Sequence, residues 1–248
     1  NIVPVEREIA KYRKYARPFA PLRFLNLLPL SHMFGQAMST FVPPMLSGVT
    51  VFMRGYNPGD IMKQVHDRRI SIVVCVPKIL DVLRKHVIQS VPELAQKSSE
   101  PKNIMSRWWH YRRVHRMFGF KFWAFVVGAA PLDPELEAFW SRLGFLVIQG
   151  YGLTETAPIV TLNHPFRTKA GTVGTPIGGV DLKISPDGEI LVRGDNVTSG
   201  YYNAPNDTAS AMNDGWFHTG DIGSLDSTGR LTVKGRKKEV IVTSDGLN

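Results

Sequence analysis

Cysteine is nearly absent from this 248-residue chain: Cys75 stands alone, so no disulfide framework holds the fold. Its neighbours Ile72, Val73, Val74 and Val76 predict a thiol packed inside a strand as a small apolar group. No run of about 20 apolar residues occurs, which excludes a helical membrane span. Asn1 to Tyr12 carry no apolar core of the kind a secretion signal needs. Internal repeats and low-complexity tracts are missing as well. Carboxylates are absent from two stretches, between Ala10 and Asp60 and between Lys102 and Lys121. His66, His86, His110, His115, His164 and His218 show no pairing that suggests a metal cluster.

What is present is an ordinary globular balance, 43% hydrophobic against 21% charged, which excludes general disorder and allows a sizeable core. The net charge of +9 is concentrated in Arg7 to Arg17 and Lys102 to Lys121. In the second stretch Trp108, Trp109, Tyr111, Phe118, Phe120, Phe122 and Trp123 alternate with Arg107, Arg112, Arg113, Arg116 and Lys121. A helix packing its aromatic face on the core is one reading. A peripheral contact with an anionic membrane through 104–123 is another. Single-stranded nucleic acid would rest on charge alone, and no nucleic-acid partner is expected. The lone cysteine fits a reducing cytoplasm, and the basic-aromatic segment would place the protein on the inner face of a membrane.

Residues 45 to 150 alternate short β-branched runs with helical patterns, the signature of parallel strands joined by crossover helices. Strands are expected at Val49–Met53, Ile70–Val76, Phe122–Val127 and Phe145–Gln149. Asp60 is expected to cap a helix with Ile61, Met62 and Val65 on one side. A second helix follows Pro77, with Ile79, Leu80, Leu83 and Val87 at helical spacing. A third begins with Asp133 as N-cap and Pro134 at its first position, points Leu136, Phe139, Trp140 and Leu143 inward, and stops at Gly144. From about residue 172 the pattern changes to tight hairpins: Val180–Ser185 and Glu189–Arg193 around Pro186-Asp187-Gly188, then Gly223–Gly235 around Asp226-Ser227-Thr228-Gly229. A strand-like run, Val240–Thr243, closes the chain. The expected class is α/β, a parallel sheet flanked by helices with a small antiparallel sheet or barrel beside it. The expected domains are 1–171, 172–236, and a hinge with the start of a further domain at 237–248.

Three segments carry chemistry: Tyr151-Gly152-Leu153-Thr154-Glu155-Thr156, leaving the carboxyl end of a strand where open α/β sheets bind ligands; Gly215-Trp216-Phe217-His218-Thr219-Gly220-Asp221; and Gly235-Arg236-Lys237-Lys238-Glu239. Tyr151 offers a flat face to a base, worth about 1–3 kcal/mol by analogy with stacking elsewhere. Thr154 can donate to a phosphate oxygen, Glu155 is an oxygen ligand that suits Mg²⁺, Asp221 can accept a ribose diol, and Arg236 suits paired oxygens. Together they describe a nucleotide site. An exposed helix start at Thr154-Glu155 and a solvated Arg236 are the plainer alternatives.

In this order the three segments resemble the adenylate-forming superfamily of acyl-CoA synthetases, peptide-synthetase adenylation domains and luciferases. The resemblance implies ATP or AMP, Mg²⁺ and coenzyme A as cofactors. It implies adenine between Tyr151 and the small wall Gly128, Ala129 and Ala130, with Gln149, Gly150 and Gly152 joining the nucleotide contacts. It assigns Thr154 and Glu155 to the phosphate and metal, Asp221 to the ribose, and Arg236 to the sugar or α-phosphate. It places His32 at the junction of acyl pocket and phosphate, and makes Lys238 the pivot of a small carboxyl-terminal domain. The missing carboxylate near His32 disfavours an amino-acid substrate, Lys238 and the basic-aromatic insertion are similar to long-chain synthetases, and a medium- to long-chain fatty acid is the expected substrate. Acyl transfer to a carrier protein, or a non-catalytic adenylate-binding or membrane-docking homologue, are the alternatives. No glycine-rich phosphate cradle with its lysine occurs, so the chain reads as an interior piece, expected to bind AMP poorly and not to turn over.

Overall fold

The computed structural model describes residues 2–95, 104–165 and 168–238. The run Val240–Thr243, with Glu239 and Lys102, lies outside the described residues. The chain divides into two compact units, a larger one of Ile9–Gln149 with His164–Gly171, and a smaller one of Asn1–Glu8, Gly150–Asn163 and Thr172–Asn248.

In the larger unit β1 (Leu22–Asn26), β2 (Gly48–Phe52), β3 (Ile72–Cys75), β4 (Ala124–Val127) and β5 (Leu146–Tyr151) run parallel in the order β2-β1-β3-β4-β5. The last two residues of β5 belong to the smaller unit. The four expected strands are present with slightly shifted ends. β1 was not legible, because Arg23 and Asn26 interrupt its apolar run. Both are accommodated: Arg23 Nη1 donates to Arg68 O at 2.7 Å, and buried Asn26 accepts Leu28 N–H on Oδ1 at 3.1 Å. β3 is buried along its whole length, as expected of a strand covered on both faces. Cys75 in β3 is fully buried, and burial pushes its thiol pKa up to about 12.

Helices Pro58–Asp67, Pro77–Ser90 and Pro134–Arg142 follow the expected pattern, with one correction. The first is capped by Asn57, whose Oδ1 accepts Gly59 N–H at 2.9 Å and Asp60 N–H at 3.3 Å. Pro58 fits the first helical position, so the helix begins before Asp60, which lies in the first turn where a negative charge favours the dipole. Asp133 caps as expected, accepting Glu135 N–H at 2.9 Å.

The basic-aromatic segment forms helices Ile104–His110 and Arg112–Phe118. Tyr111, Phe118 and Phe122 are buried, and Phe118, Phe122, Phe125, Trp140 and Phe145 pack into one aromatic cluster with centroid separations such as 4.7 Å for Phe125–Trp140. Trp109 and Phe120 remain exposed, at 70% and 72%. Much of the ring surface thus serves the core, which leaves the membrane reading without support from the fold. Among the described residues no helix is long and apolar enough to cross a membrane.

In the smaller unit β6 (Thr161–Leu162) pairs antiparallel with Gly150–Tyr151, and β7 (Thr175–Pro176) pairs with β6. A second, antiparallel sheet is made of β8 (Val180–Ile184), β9 (Glu189–Gly194), β10 (Met212–Asn213), β11 (Trp216–Leu225) and β12 (Leu231–Arg236). Its order is β10-β11-β9-β8, with β12 also on β11. Both expected hairpins are there, β8–β9 and β11–β12. Asp226 shapes the second turn, its Oδ1 accepting Thr228 N–H at 2.8 Å and Arg230 N–H at 3.0 Å. The architecture is the expected parallel sheet flanked by helices with an antiparallel sheet.

Candidate functional site

Within the smaller unit, strand geometry gathers three residues that are far apart in the chain. β11 and β12 pair in a register that sets Asp221 opposite Arg236. Arg236 Nε lies 3.1 Å from Asp221 Oδ1, and Tyr151 Oη donates to Asp221 Oδ2 at 2.7 Å. Arg236 Nη1 also donates to Thr219 O at 3.2 Å. Arg236 is half-exposed while Asp221 is buried, so the ion pair itself adds little stability, of the order of 1 kcal/mol or less. Burial raises the Asp221 pKa above the usual carboxylate range, and the Tyr151 hydrogen bond and the Arg236 charge pull it back. Burial likewise raises the Tyr151 phenol, which stays a neutral donor.

A bulge aims Asp221. Along β11 the pairing to β9 moves from His218↔Leu191 to Ile222↔Glu189, so extra residues on β11 leave the ladder around Thr219-Gly220-Asp221. Gly220 adopts φ of 70°, a left-handed conformation that glycine takes without strain. Thr219 Oγ1 donates to Ile190 O at 2.8 Å and accepts Asp221 N–H at 3.1 Å, which ties the bulge to β9.

The segment after Tyr151 turns through a short 3₁₀ helix, Thr154–Thr156. Thr156, fully buried, closes that turn: its Oγ1 accepts Leu153 N–H at 2.8 Å. Thr154 is exposed and its hydroxyl has no protein partner among the described residues. The two threonines therefore divide the work, one structural and one available. Glu155 Oε1 accepts the Tyr201 hydroxyl at 3.0 Å, and Thr198 N–H donates to Glu155 O at 2.7 Å. Gly152 has a packing reason to be glycine: a Cβ there would stand 1.9 Å from Pro158 O. A Cβ on Gly150 would be less crowded, at 3.0 Å from Thr161 O. Lys238 is exposed in the turn after β12.

The remaining expected residues lie in the larger unit. Gly128 is buried, and a Cβ on it would meet the Phe34 ring at 2.9 Å, which places this glycine against the segment that begins with His32. Ala129 and Ala130 are exposed, Ala129 at φ of 66°. His32 is exposed and precedes the Met33–Gln36 helical turn. Gln149 is buried and donates to Glu137 Oε2 at 2.9 Å. Glu137 also accepts Gly171 N–H at 3.2 Å, and its burial raises its pKa. The inward position of Glu137 was not legible, since it sits among apolar residues on a helix whose inward set reads as apolar.

A profile of AMP-binding enzymes matches residues 7–202. The chain belongs to the AMP-binding enzyme family. Long-chain-fatty-acid–CoA ligase FadD15 of Mycobacterium bovis is 46% identical over 138 residues, which is 56% of this chain and 23% of that ligase. Long chain acyl-CoA synthetase 1 of Arabidopsis thaliana is 29% identical over 258 aligned positions, covering 90% of this chain and 39% of that protein. The solved fatty acyl CoA synthetase of Mycobacterium tuberculosis superposes with a TM-score of 0.68 at 25% identity, over 95% of this chain and 45% of that one. The matched stretches span 23% to 45% of the lengths of these relatives. Tyr151, Thr154 and Glu155 fall inside the matched stretch, whereas Asp221 and Arg236 fall beyond it and stand on geometry.

Several contacts in the chain had no sequence signal. Tyr201 lies in a loop, Ser199-Gly200-Tyr201, with nothing to announce its bond to Glu155. Glu189 reads only as the first residue of a hairpin strand. Among the described residues no group of three or more His, Cys, Asp or Glu side chains converges on one point. Glu155 is a single carboxylate, half-buried, with one oxygen accepting from Tyr201. That donor set fits Mg²⁺, which keeps waters and phosphate oxygens in its shell and asks the protein for one or two carboxylates.

Proposed function

We propose that the protein activates a medium- to long-chain fatty acid with ATP through an acyl-adenylate and then transfers the acyl group to coenzyme A. The observation that carries this reading is the Tyr151–Asp221–Arg236 cluster, in which an aromatic ring, a buried carboxylate and a guanidinium meet. Each carboxylate oxygen has two lone pairs, so the bonds from Tyr151 and Arg236 leave acceptor capacity on Asp221 for a ribose diol. The Tyr151 ring, held at its hydroxyl, would present its face to adenine. Arg236 adds a fixed fork for oxygens of the sugar or α-phosphate.

The free hydroxyl of Thr154 would donate to an α-phosphate oxygen, and Glu155 would hold Mg²⁺, which when bound supplies charge neutralisation on the phosphates. Holding the acid carboxylate in line with the α-phosphorus turns a bimolecular attack into a positioned one. The wall of Gly128, Ala129 and Ala130, the contacts of Gln149, Gly150 and Gly152, the acyl-side role of His32 and the pivot at Lys238 rest on the family resemblance. The fatty-acid ligases among the relatives support the acid class.

Profiling the full-length protein of which this chain is a part against fatty acids of increasing length, with ATP and with coenzyme A or a carrier protein as acceptor, tests the proposal. Acid-dependent AMP release with thioester on coenzyme A, abolished by Glu155→Ala, is expected. Thioester only on a carrier protein would replace the acceptor, and no acid-dependent AMP release would leave a non-catalytic adenylate binder.

A further inference from the structure

The bulge that carries Asp221 is held by a residue outside the three motifs. Glu189 begins β9 and is 5% exposed. Its carboxylate gathers three donors. Gly220 N–H reaches Oε1 at 2.9 Å, Lys237 Nζ reaches Oε2 at 2.9 Å, and His218 Nδ1 lies 3.3 Å from Oε2. At the register shift between β11 and β9, the side chain of Glu189 therefore serves as the acceptor for a backbone N–H that has left the ladder. Gly220 O is held too, accepting Lys237 N–H at 2.8 Å. Lys237 Nζ makes a further ion pair with Asp187 Oδ2 at 2.6 Å.

Gly220 is thus clamped through both of its backbone polar groups, from Glu189 on β9 and from Lys237 in the turn just after β12. The residue it clamps is bonded to Asp221, and the residue that closes the clamp is bonded to Lys238. We infer that Glu189 is a positioning residue of the nucleotide site: through Gly220 it sets where the Asp221 carboxylate stands, and through Lys237 it ties that placement to the segment at Lys238. This rests on the nucleotide reading of Asp221. A charged acceptor is suited to the task because hydrogen bonds to an ionised group are shorter and stronger than neutral ones. Glu189 touches no substrate atom on this account and acts only through Gly220.

The test compares binding of AMP and of its dideoxyribose analogue to the full-length protein by calorimetry, the ratio reporting the ribose contact alone. Glu189→Ala is expected to lower the AMP preference about tenfold, the scale of one hydrogen bond to a charged group. Glu189→Gln keeps a carbonyl oxygen for Gly220 and is expected to retain most of the preference. Amide exchange at Gly220 is expected to accelerate in Glu189→Ala and to return toward the wild-type rate in Glu189→Gln. A merely structural ion cluster would weaken both nucleotides equally. A preference that Asp221→Ala abolishes but Glu189→Ala preserves, with Gly220 exchange unchanged, overturns the inference alone. A wild-type chain without ribose preference, or a preference indifferent to Asp221→Ala, overturns the nucleotide reading beneath it.

Discussion

In the larger unit Trp140, Phe118, Phe122, Phe125 and Phe145 pack against one another through mostly edge-to-face and tilted ring contacts, whereas in the smaller unit the strands β9, β11 and β12 enclose Glu189, Thr219 and Asp221. The first arrangement is held mainly by apolar area, which is non-directional and tolerant of register detail, with edge-to-face and tilted ring contacts adding a weaker orientational preference. The second is held by directional bonds, each of which fixes a particular oxygen. Burying polar groups costs free energy unless every one is satisfied, so such a cluster is expected where the placement of an atom matters more than stability. The bulge at Thr219-Gly220-Asp221 is that place.

The largest expected effect belongs to the aromatic cluster. Trp140→Ala should lower stability by about 3–5 kcal/mol in urea unfolding, through lost burial and an uncollapsed cavity. If the loss were below about 1 kcal/mol, the contrast between the units would fail on its apolar side. Next comes Gly152→Ala, whose Cβ would stand 1.9 Å from Pro158 O and 2.9 Å from Ile159 N, both backbone atoms that cannot step aside cheaply. A cost of about 1–3 kcal/mol by the same measurement is expected.

Asp221→Asn should act more weakly on stability, and with a particular pH dependence. Burial raises the folded carboxyl above its unfolded value of about 3.9. Its stabilising contribution is therefore complete below the unfolded pKa and is lost as pH rises through the folded one. Asparagine carries no such titration, so the stability of the variant relative to wild type should rise across that window. A difference that stays flat with pH would show that Tyr151 and Arg236 cancel the burial cost. The smallest effect is expected at Trp109→Ala, since Trp109 is 70% exposed: an unfolding free energy within about 0.5 kcal/mol of wild type in urea titration. A larger loss would place that ring in a packed interface.

Most of the parallel sheet was legible because β-branched runs such as Ile72–Cys75 and the Asp133-Pro134…Gly144 helix announce themselves through local rules. Asp60 was misread as a cap because the choice between Asn57 and Asp60 depends on where Pro58 can begin the helix. β1 escaped notice because Arg23 and Asn26 find their partners only in the folded chain. In the smaller unit the hairpins could be read from their turn residues, and Tyr151, Asp221 and Arg236 from their motifs. The contact of Tyr201 with Glu155 and the clamp of Glu189 on Gly220 could not be read, because they join residues 46 and 31 positions apart without any pattern that spans the gap.

The amino-acid order alone determined the class of strands and helices, the apolar faces, the hairpin turns and the residue types on which the proposed nucleotide site rests, since each follows from short-range sterics, periodicity and side-chain chemistry. Only the tertiary structure decided that β11 and β12 pair with Asp221 against Arg236, that a bulge brings the Tyr151 hydroxyl to the same carboxylate, and that Thr154 rather than Thr156 is left exposed. These outcomes depend on strand register and on which buried donor meets which acceptor, and both are settled by packing between segments distant along the chain.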